Sequence, residues 1–372
     1  MNEEKRRPLR LLVISPIPPE GAGCRFRVMQ YVPALEAAGF SVTLAPFFDL
    51  AFFRLVYRRG HYLEKFCAFL RQSAARLMLL LSRNDYDAFF VYREAYPFGP
   101  AWFETLLARS SGRPLVYDFD DAVYLNNTSE ANKFVSVLKY PQKVPSIIRK
   151  SALVLAGNQH LADYARAYNS AVAVLPTCVD TSVFVPRLTP PPAGAPPMLG
   201  WIGTPTTATY LKSLGPALAR VAARHAFVLR VSGSGDPVQI PGVTTINEPW
   251  SLEREVELFN TCDIGVYPLR DDEWERGKCG FKAIQFMACG LPVVAAAVGV
   301  NREIIQDGVN GFLAFTDDEW VEKIERLLDD AQLRERIGAA GRKTIEQRYS
   351  LAVNAPKLAS MLRDVVMNKR KA

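Results

Sequence analysis

GKCGFKAIQFMACGLPVVAA, residues 277–296, holds a loop, a helix and a strand in quick succession. Lys278, Lys282 and Gln285 stand at i, i+4 and i+7, so a helix through them carries all three on one face. Phe281, Ile284 and Ala288 repeat at helical spacing on another face, which suits packing on a sheet. Gly290 followed by Pro292 supplies the stop signals of a helix C-terminus. Leu291 to Ala296 is a short apolar run rich in valine and alanine, the composition of a strand covered on both sides. Two lysines at the mouth of a helix, beside a strand end, make a site for an anion, above all a phosphate. The competing reading of the same residues is a solvated basic face on a surface helix.

The same alternation of strand and helix signals extends in both directions. Towards the N-terminus, strands are expected at Arg10–Ser15, Ser41–Ala45, Ala88–Tyr92, Pro114–Tyr117, Leu153–Ala156 and Ala171–Leu175. A glycine loop at Gly21–Gly23 and a helix over Val28–Ala38 follow the first of them. Around the opening stretch, strands are expected at Leu199–Ile202, Ala226–Val231, Val243–Ile246, Ile264–Tyr267 and Pro292–Ala296. Helices are expected over 208–224 and near 251–260, 281–289, 301–306, 318–329 and 331–347. Strands alternating with helices mean an α/β protein with parallel sheets and helices on both faces. PRLTPPPAGAPP, residues 186–197, holds six prolines and reads as an extended linker. The expected domains are therefore 1–185, the linker 186–197, and 198–354, with a C-terminal helix over 355–372 returning to the first domain. Two Rossmann-like domains then face a central cleft, with ligands at the carboxyl ends of the strands.

A length of 372 residues accommodates two such domains, and 49% hydrophobic with 22% charged residues is a globular composition. The six cysteines, Cys24, Cys67, Cys178, Cys262, Cys279 and Cys289, are scattered without a CxxC, so reduced thiols in a cytoplasmic protein are expected. The apolar run Leu11–Ile14 is too short for a signal peptide and fits a first strand. No run approaches the ~18 apolar residues of a membrane span. The net charge of +7 is concentrated: Arg54, Arg58, Arg59, Lys65, Arg71, Arg76 and Arg83 oppose Glu64 alone between 51 and 83. A local excess of this kind argues against nucleic acid as a partner of the whole protein.

Taken in order, several pieces resemble the GT-B glycosyltransferases, and in detail family 4 of retaining nucleotide-sugar transferases, the group 1 glycosyl transferases. FMACGLPVVAAAVGVNREIIQDGVNGFL, 286–313, is similar to that family's donor-site helix, strand and following loop. GAGCRFRV at 21–28, GWIGT at 200–204, VSGSG at 231–235 and NTCDIGVYPL at 260–269 are weaker and collinear. The resemblance implies transfer of a sugar from a nucleoside diphosphate sugar to a hydroxyl on a glycan or lipid-linked acceptor, with retention and with no metal or other cofactor. The chain departs from the family's pair of glutamates eight positions apart, because Gly277 and Gln285 stand in their places. An amide at Gln285 still offers a donor and an acceptor to ribose hydroxyls. It resembles a branch with lysine at the position of Lys282. Where family members often carry an arginine and a lysine for the diphosphate, Thr204, Thr206 and Thr207 stand here, with Lys212 beyond. Lys278 and Lys282 are then expected to supply that charge. The expected donor-binding set is Gly203, Thr204 and Gln285 with Gly23, Arg25 and Arg27, the last two as anion clamps.

Asp118, Asp120 and Asp121 form DFDD after the apolar run Leu115–Tyr117. They complete the expected catalytic set with Lys278 and Lys282, recognising the acceptor hydroxyl or stabilising positive charge on the sugar. A metal site and a helix cap are the alternatives. Arg93 and Glu94 end the preceding strand and are expected in the same cleft. His61, His160 and His225 lie near no nucleophile motif, which disfavours a hydrolase triad. Leu63, Phe66, Cys67, Leu70, Leu77, Met78 and Leu81 follow helical spacing in the basic segment. That helix either packs on the N-terminal domain or lies on an anionic membrane at its inner face, with Phe52, Phe53, Tyr57 and Phe69 as anchors. Two other functions share the fold: a nucleotide-sugar epimerase, and a non-catalytic nucleotide-sugar binder favoured by the missing glutamate pair.

Overall fold

The apolar runs become two parallel six-stranded sheets, each in its own unit of the chain. The computed structural model describes residues 7–56, 58, 60–110, 112–125, 140–189, 192 and 194–371. One unit comprises Met1–Thr177 with Asn354–Ala372, the other Cys178–Val353.

In the first unit the strands are β1 (Leu9–Ser15), β2 (Phe40–Pro46), β3 (Ala88–Tyr92), β4 (Leu115–Phe119), β5 (Leu153–Ala156) and β6 (Val172–Val174). The helices are α1 (Ala22–Arg27), α2 (Val32–Ala37), α3 (Leu50–Val56), α4 (Tyr62–Leu79), α5 (Trp102–Ser110), α6 (Lys143–Lys150) and α7 (Gln159–Arg166). The sheet order is β2-β1-β3-β4-β5-β6, with every pairing parallel. β3 and β4 are buried at every position, as the unbroken apolar sequence of β3 demands, and β4 is apolar except for Asp118.

The second unit holds β7 (Met198–Ile202), β8 (Val228–Ser232), β9 (Thr244–Glu248), β10 (Ile264–Tyr267), β11 (Val293–Ala296) and β12 (Phe312–Ala314). Its helices are α8 (Ala208–Ser213), α9 (Gly215–Ala222), α10 (Glu255–Asn260), α11 (Glu273–Arg276), α12 (Phe281–Ala288), α13 (Asn301–Ile304), α14 (Asp317–Asp329) and α15 (Ala331–Thr344). The order β12-β11-β10-β7-β8-β9 is parallel throughout. A final helix, α16 (Leu351–Lys371), enters the first unit at Asn354; there Leu358 is buried and Arg363 donates to Ala38 O at 2.5 Å.

These orders fix where each sheet opens. In the first, the chain runs from β1 outward to β2 and then returns to β3 on the other side, so direction reverses between β1 and β3. In the second it reverses between β7 and β10. Helices leave such a point on opposite faces, and a crevice forms outside the carboxyl ends of those strands.

Several local expectations are corrected. Gly21–Gly23 is no loop: Gly21 caps α1, and Gly23, Arg25 and Arg27 lie within that helix. The helix expected over 208–224 is two, because Gly215 and Pro216 begin a new one. The short strand β12 was not anticipated. The proline-rich stretch belongs to the second unit, where Arg187 donates to Cys262 O and pairs with Asp263 at 2.6 Å. Its residues 190, 191 and 193 lie outside those described. Of the expected interfacial anchors, Phe52 is buried and Phe69 packs on Phe47, Tyr96 and Phe98, while Tyr57 lies outside the described residues.

Candidate functional site

At the switch point of the second sheet, β7 ends in the turn Gly203–Thr207, which opens α8. A Cβ on Gly203 would stand 2.4 Å from Cζ2 of the Trp201 ring, so only glycine lets the chain turn there. Gly203 N donates to Ser232 O at 3.0 Å, and Gly233, at φ 83, packs against Gly203 O. The turns after β7 and β8 are thereby locked side by side. Thr204 and Thr206 are exposed, and their hydroxyls lie 2.9 Å apart.

Across the switch point, the segment after β10 carries α11 and the lysines. Asp272 caps α11 by accepting from Glu275 N at 2.9 Å. Gly280 adopts φ 64 and starts α12 afresh. Lys278 therefore precedes the helix instead of riding on it, which corrects the expected i, i+4, i+7 face. Its ammonium lies 3.6 Å from the Glu275 carboxylate, and Tyr210 of α8 donates to the same carboxylate. Burial and Glu275 push the Tyr210 hydroxyl above its ordinary pKa, so it stays protonated as the donor. Lys278, Glu275 and Tyr210 thus bridge the elements on either side of the switch point.

Lys282 occupies the first turn of α12 and donates to Gln285 Oε1 at 2.8 Å. Gln285 Nε2 in turn donates to Glu255 Oε1 at 3.2 Å. Gln285 is 0% exposed, which removes it as a direct ribose contact in this conformation. Its role here is to relay between a lysine and a buried carboxylate from α10. The ammonium of Lys282 also lies 5.6 Å from the Phe259 ring centre and 5.9 Å from that of Phe281. α12 is pressed close to the sheet: a Cβ on Gly265 of β10 would stand 2.5 Å from Phe286 Cγ.

In the first unit, the expected carboxylates divide. Asp118 is fully buried, and both its oxygens are taken by Arg27, through Nε at 3.0 Å and through Nη2. Arg27 also donates to Leu175 O at 2.7 Å. Burial works against the charge on Arg27, but Asp118 overcomes it and raises its pKa, so the guanidinium stays charged. Arg27 and Asp118 therefore tie α1, β4 and the end of β6 together and are removed from the ligand-facing sets. Asp120 and Asp121 reach the surface beside Arg93, which bonds Asp120 through Nε at 2.8 Å and approaches Asp121 at 3.5 Å. Tyr92 donates to Asp120 at 2.9 Å. Burial would raise the Asp120 pKa, but Arg93 and Arg27 with these hydrogen bonds hold it below the ordinary carboxylate range. Arg93 has φ 59, a left-handed backbone that a branched or long side chain adopts at a cost. Gly23 packs directly on the Tyr92 hydroxyl, and Arg25 lies 4.3 Å from the Phe26 ring centre. Glu94, expected in the same cleft, pairs with buried Lys143 at 2.6 Å.

The sequence reading missed Tyr92, Tyr210, Glu255 and Glu275. Glu275 lies in DDEWERGK, two residues before Gly277, and its nearness to the vacant glutamate position was the available signal. Glu255 lies thirty residues before Gln285, and only the fold brings the two together. Among the described residues, no group of three or more His, Cys, Asp or Glu side chains could hold a metal ion.

Residues 196–330 match the family described as Glycosyl transferases group 1. The D-inositol 3-phosphate glycosyltransferase of Mycolicibacterium smegmatis is 27% identical over 223 residues, covering 59% of this chain and 48% of that protein. The chain spans about half or less of the length of the curated relatives it matches. Sucrose-phosphate synthase from Thermosynechococcus elongatus shares the fold with a TM-score of 0.71 at 17% identity, over 97% of this chain and 100% of that one. Anabaena Alr3699/HepE, solved in complex with UDP-glucose, gives 0.67 at 17% identity, over 96% and 100%. The family match thus lies within the second unit, where residues 196–330 resemble the group 1 glycosyl transferases, and the two-sheet GT-B fold is shared along nearly the whole chain.

Proposed function

We propose that the protein is a retaining, metal-independent glycosyltransferase that moves a sugar from a nucleoside diphosphate sugar to a hydroxyl of a glycan or lipid-linked acceptor. The observation that carries this reading is the cluster at the second sheet's switch point. There the Gly203–Thr204 turn, Lys278 tied through Glu275 to Tyr210, and Lys282 on the first turn of α12 gather at strand carboxyl ends. Two ammonium groups beside a glycine turn suit a diphosphate. The Anabaena relative is in complex with UDP-glucose, which makes a uridine diphosphate sugar the first donor to test. All six cysteines are free thiols, which suits a cytoplasmic enzyme.

In the proposed reaction, the bond from the anomeric carbon to the diphosphate oxygen breaks, and the diphosphate leaves with the electron pair. Lys278 and Lys282 stabilise that developing charge. The acceptor oxygen bonds the anomeric carbon on the face just vacated, and its proton passes to a donor phosphate oxygen. No protein nucleophile takes part. Asp120, Asp121 and Arg93 are the groups of the first unit that suit an acceptor hydroxyl, since Asp120 stays ionised.

The test is a thermal-shift screen over nucleoside diphosphate sugars, followed by product analysis with the anomeric configuration read by NMR. A rise in melting temperature with one donor, and a transferred sugar of unchanged configuration, are expected. A folded protein that neither binds nor consumes any of them overturns the reading, and an inverted product overturns retention alone.

A further inference from the structure

Helix α4 is built inside out. Its inward side is largely polar and anchored: Gln72 donates to Asp49 at 2.6 Å, and Ser73 and Tyr96 share a hydrogen bond of 2.9 Å. Arg76, buried against the sheet, donates to Ala45 O at 2.9 Å and Ser15 O at 3.3 Å. On the same side Phe69 packs on the rings of Phe47 and Phe98, and the Arg76 guanidinium lies 5.7 Å from the Phe47 ring centre and 5.8 Å from that of Phe103. The apolar stripe points the other way. Leu63, Phe66, Leu70, Leu77, Met78 and Leu81 are each between 50% and 79% exposed. A core helix buries its stripe and a solvated helix has none, so this stripe is made to meet another apolar medium.

Charge and size narrow down what that medium is. Arg54, Arg58, Lys65, Arg71 and Arg83 all reach the surface at least in part, and Glu64 is the one acid between 51 and 83. Arg71 is held by Asp49 at 2.5 Å, and the others keep the segment basic. A helix of this length is about 27 Å long, and a stripe about 10 Å wide offers roughly 300 Å². A stable pair of protein surfaces needs about 800 Å² from each partner, so a second copy is poorly served. An apolar face a few hundred Å² in area with basic flanks matches an anionic bilayer, in which acyl chains take the stripe and headgroups take the bases. No helix among the described residues is long and apolar enough to cross a membrane, so contact of this kind is superficial.

We infer that the outer face of α4 docks the protein on anionic lipid bilayers, with Leu63, Phe66, Leu70 and Leu77 entering the acyl boundary. Docking requires no nucleotide sugar, so its test is separate from that of the transfer reaction. The full chain is sedimented with phosphatidylglycerol-containing vesicles and with pure phosphatidylcholine vesicles at low salt. Binding is expected to be at least tenfold stronger to the anionic vesicles and to weaken with salt. The triple variant Leu63→Gln, Phe66→Gln, Leu70→Gln should lose at least tenfold in binding while staying folded, because each of these side chains is at least half exposed. Arg54→Gln with Arg58→Gln should erase the anionic preference. Cys67 lies on the same face and is exposed, whereas the other five cysteines are buried. An environment-sensitive dye on Cys67 should therefore shift to the blue with anionic vesicles, independently of any variant. Equal sedimentation with both vesicle types overturns the proposal, as does a folded triple variant that binds like the wild type. A wild-type dimer that the triple variant splits would assign the face to a second copy instead.

Discussion

At the scale of single residues, burial separates the groups that hold the fold from those that can do chemistry. Arg27 and Asp118 have charge and a place near a sheet's switch point, yet Arg27 takes both carboxylate oxygens of Asp118 and donates besides to Leu175 O. Removing one partner of such a pair leaves the other charge uncompensated, so Asp118→Ala should lower stability by about 3–5 kcal/mol, read from denaturant midpoints. Replacing both together, Arg27→Met with Asp118→Leu, should recover most of that loss; failure to recover would return the pair to the list of ligand groups. Lys282 is the opposite case. It sits half-buried on the first turn of α12, and its partner Gln285 is an uncharged amide. Lys282→Ala should lower turnover by roughly 100-fold, the scale of one lost charge-stabilising donor. Unchanged turnover in the folded variant would remove this lysine from the mechanism.

Elements were legible wherever apolar content decided them. β3, β10 and β11 are unbroken apolar runs, β4 is one but for Asp118, and each was expected within two residues of where it lies. β12 was not, since Phe312–Ala314 is too short to give a period and its pairing with β11 comes from tertiary contact. The helix of the opening stretch was expected over 281–289, but the interruption at Gly280 was not, so Lys278 was assigned to a face it does not share. Spacing also predicted α4 and its stripe while leaving the inward face undetermined. That face is set by Asp49, Tyr96 and two strand carbonyls, partners remote from α4 in the sequence. The site was legible as residue types, and its wiring through Glu255 and Glu275 was not, because buried carboxylates look like surface ones in a sequence. Caps, by contrast, are local. Thr316 and Glu319 form a reciprocal capping box at the start of α14. Thr316→Ala should cost about 1 kcal/mol, measured as a lowered melting temperature of the second unit. No change would mean that α14 is held by packing of Trp320, Val321, Ile324 and Leu327 alone.

At the scale of the whole molecule, the chain builds two sheets of the same strand count, and only the second carries the lysine cluster assigned to the donor. The division makes a prediction that neither unit makes by itself. A ligand that binds only folded protein adds about 2.7 kcal/mol of stability at a hundred times its dissociation constant. Hydrogen exchange resolves where along the chain that stabilisation falls. With a nucleoside diphosphate present, protection should rise at 203–207, 232–235 and 275–285, the segments that form the switch-point cluster, and through β7 and β10 beneath them. The strands β1 to β6 should exchange as before, because the charge partners proposed for the diphosphate, Lys278 and Lys282, lie in the second unit. Adding the sugar to the diphosphate leaves that pattern in place and extends it only where the sugar is held, so a comparison of the two ligands maps the sugar's contacts. Protection confined to 22–27 and 92–94 instead would move the donor to the first unit. It would then fall to Arg25, Arg93 and Asp120, and not to Lys278 and Lys282, to explain the chemistry.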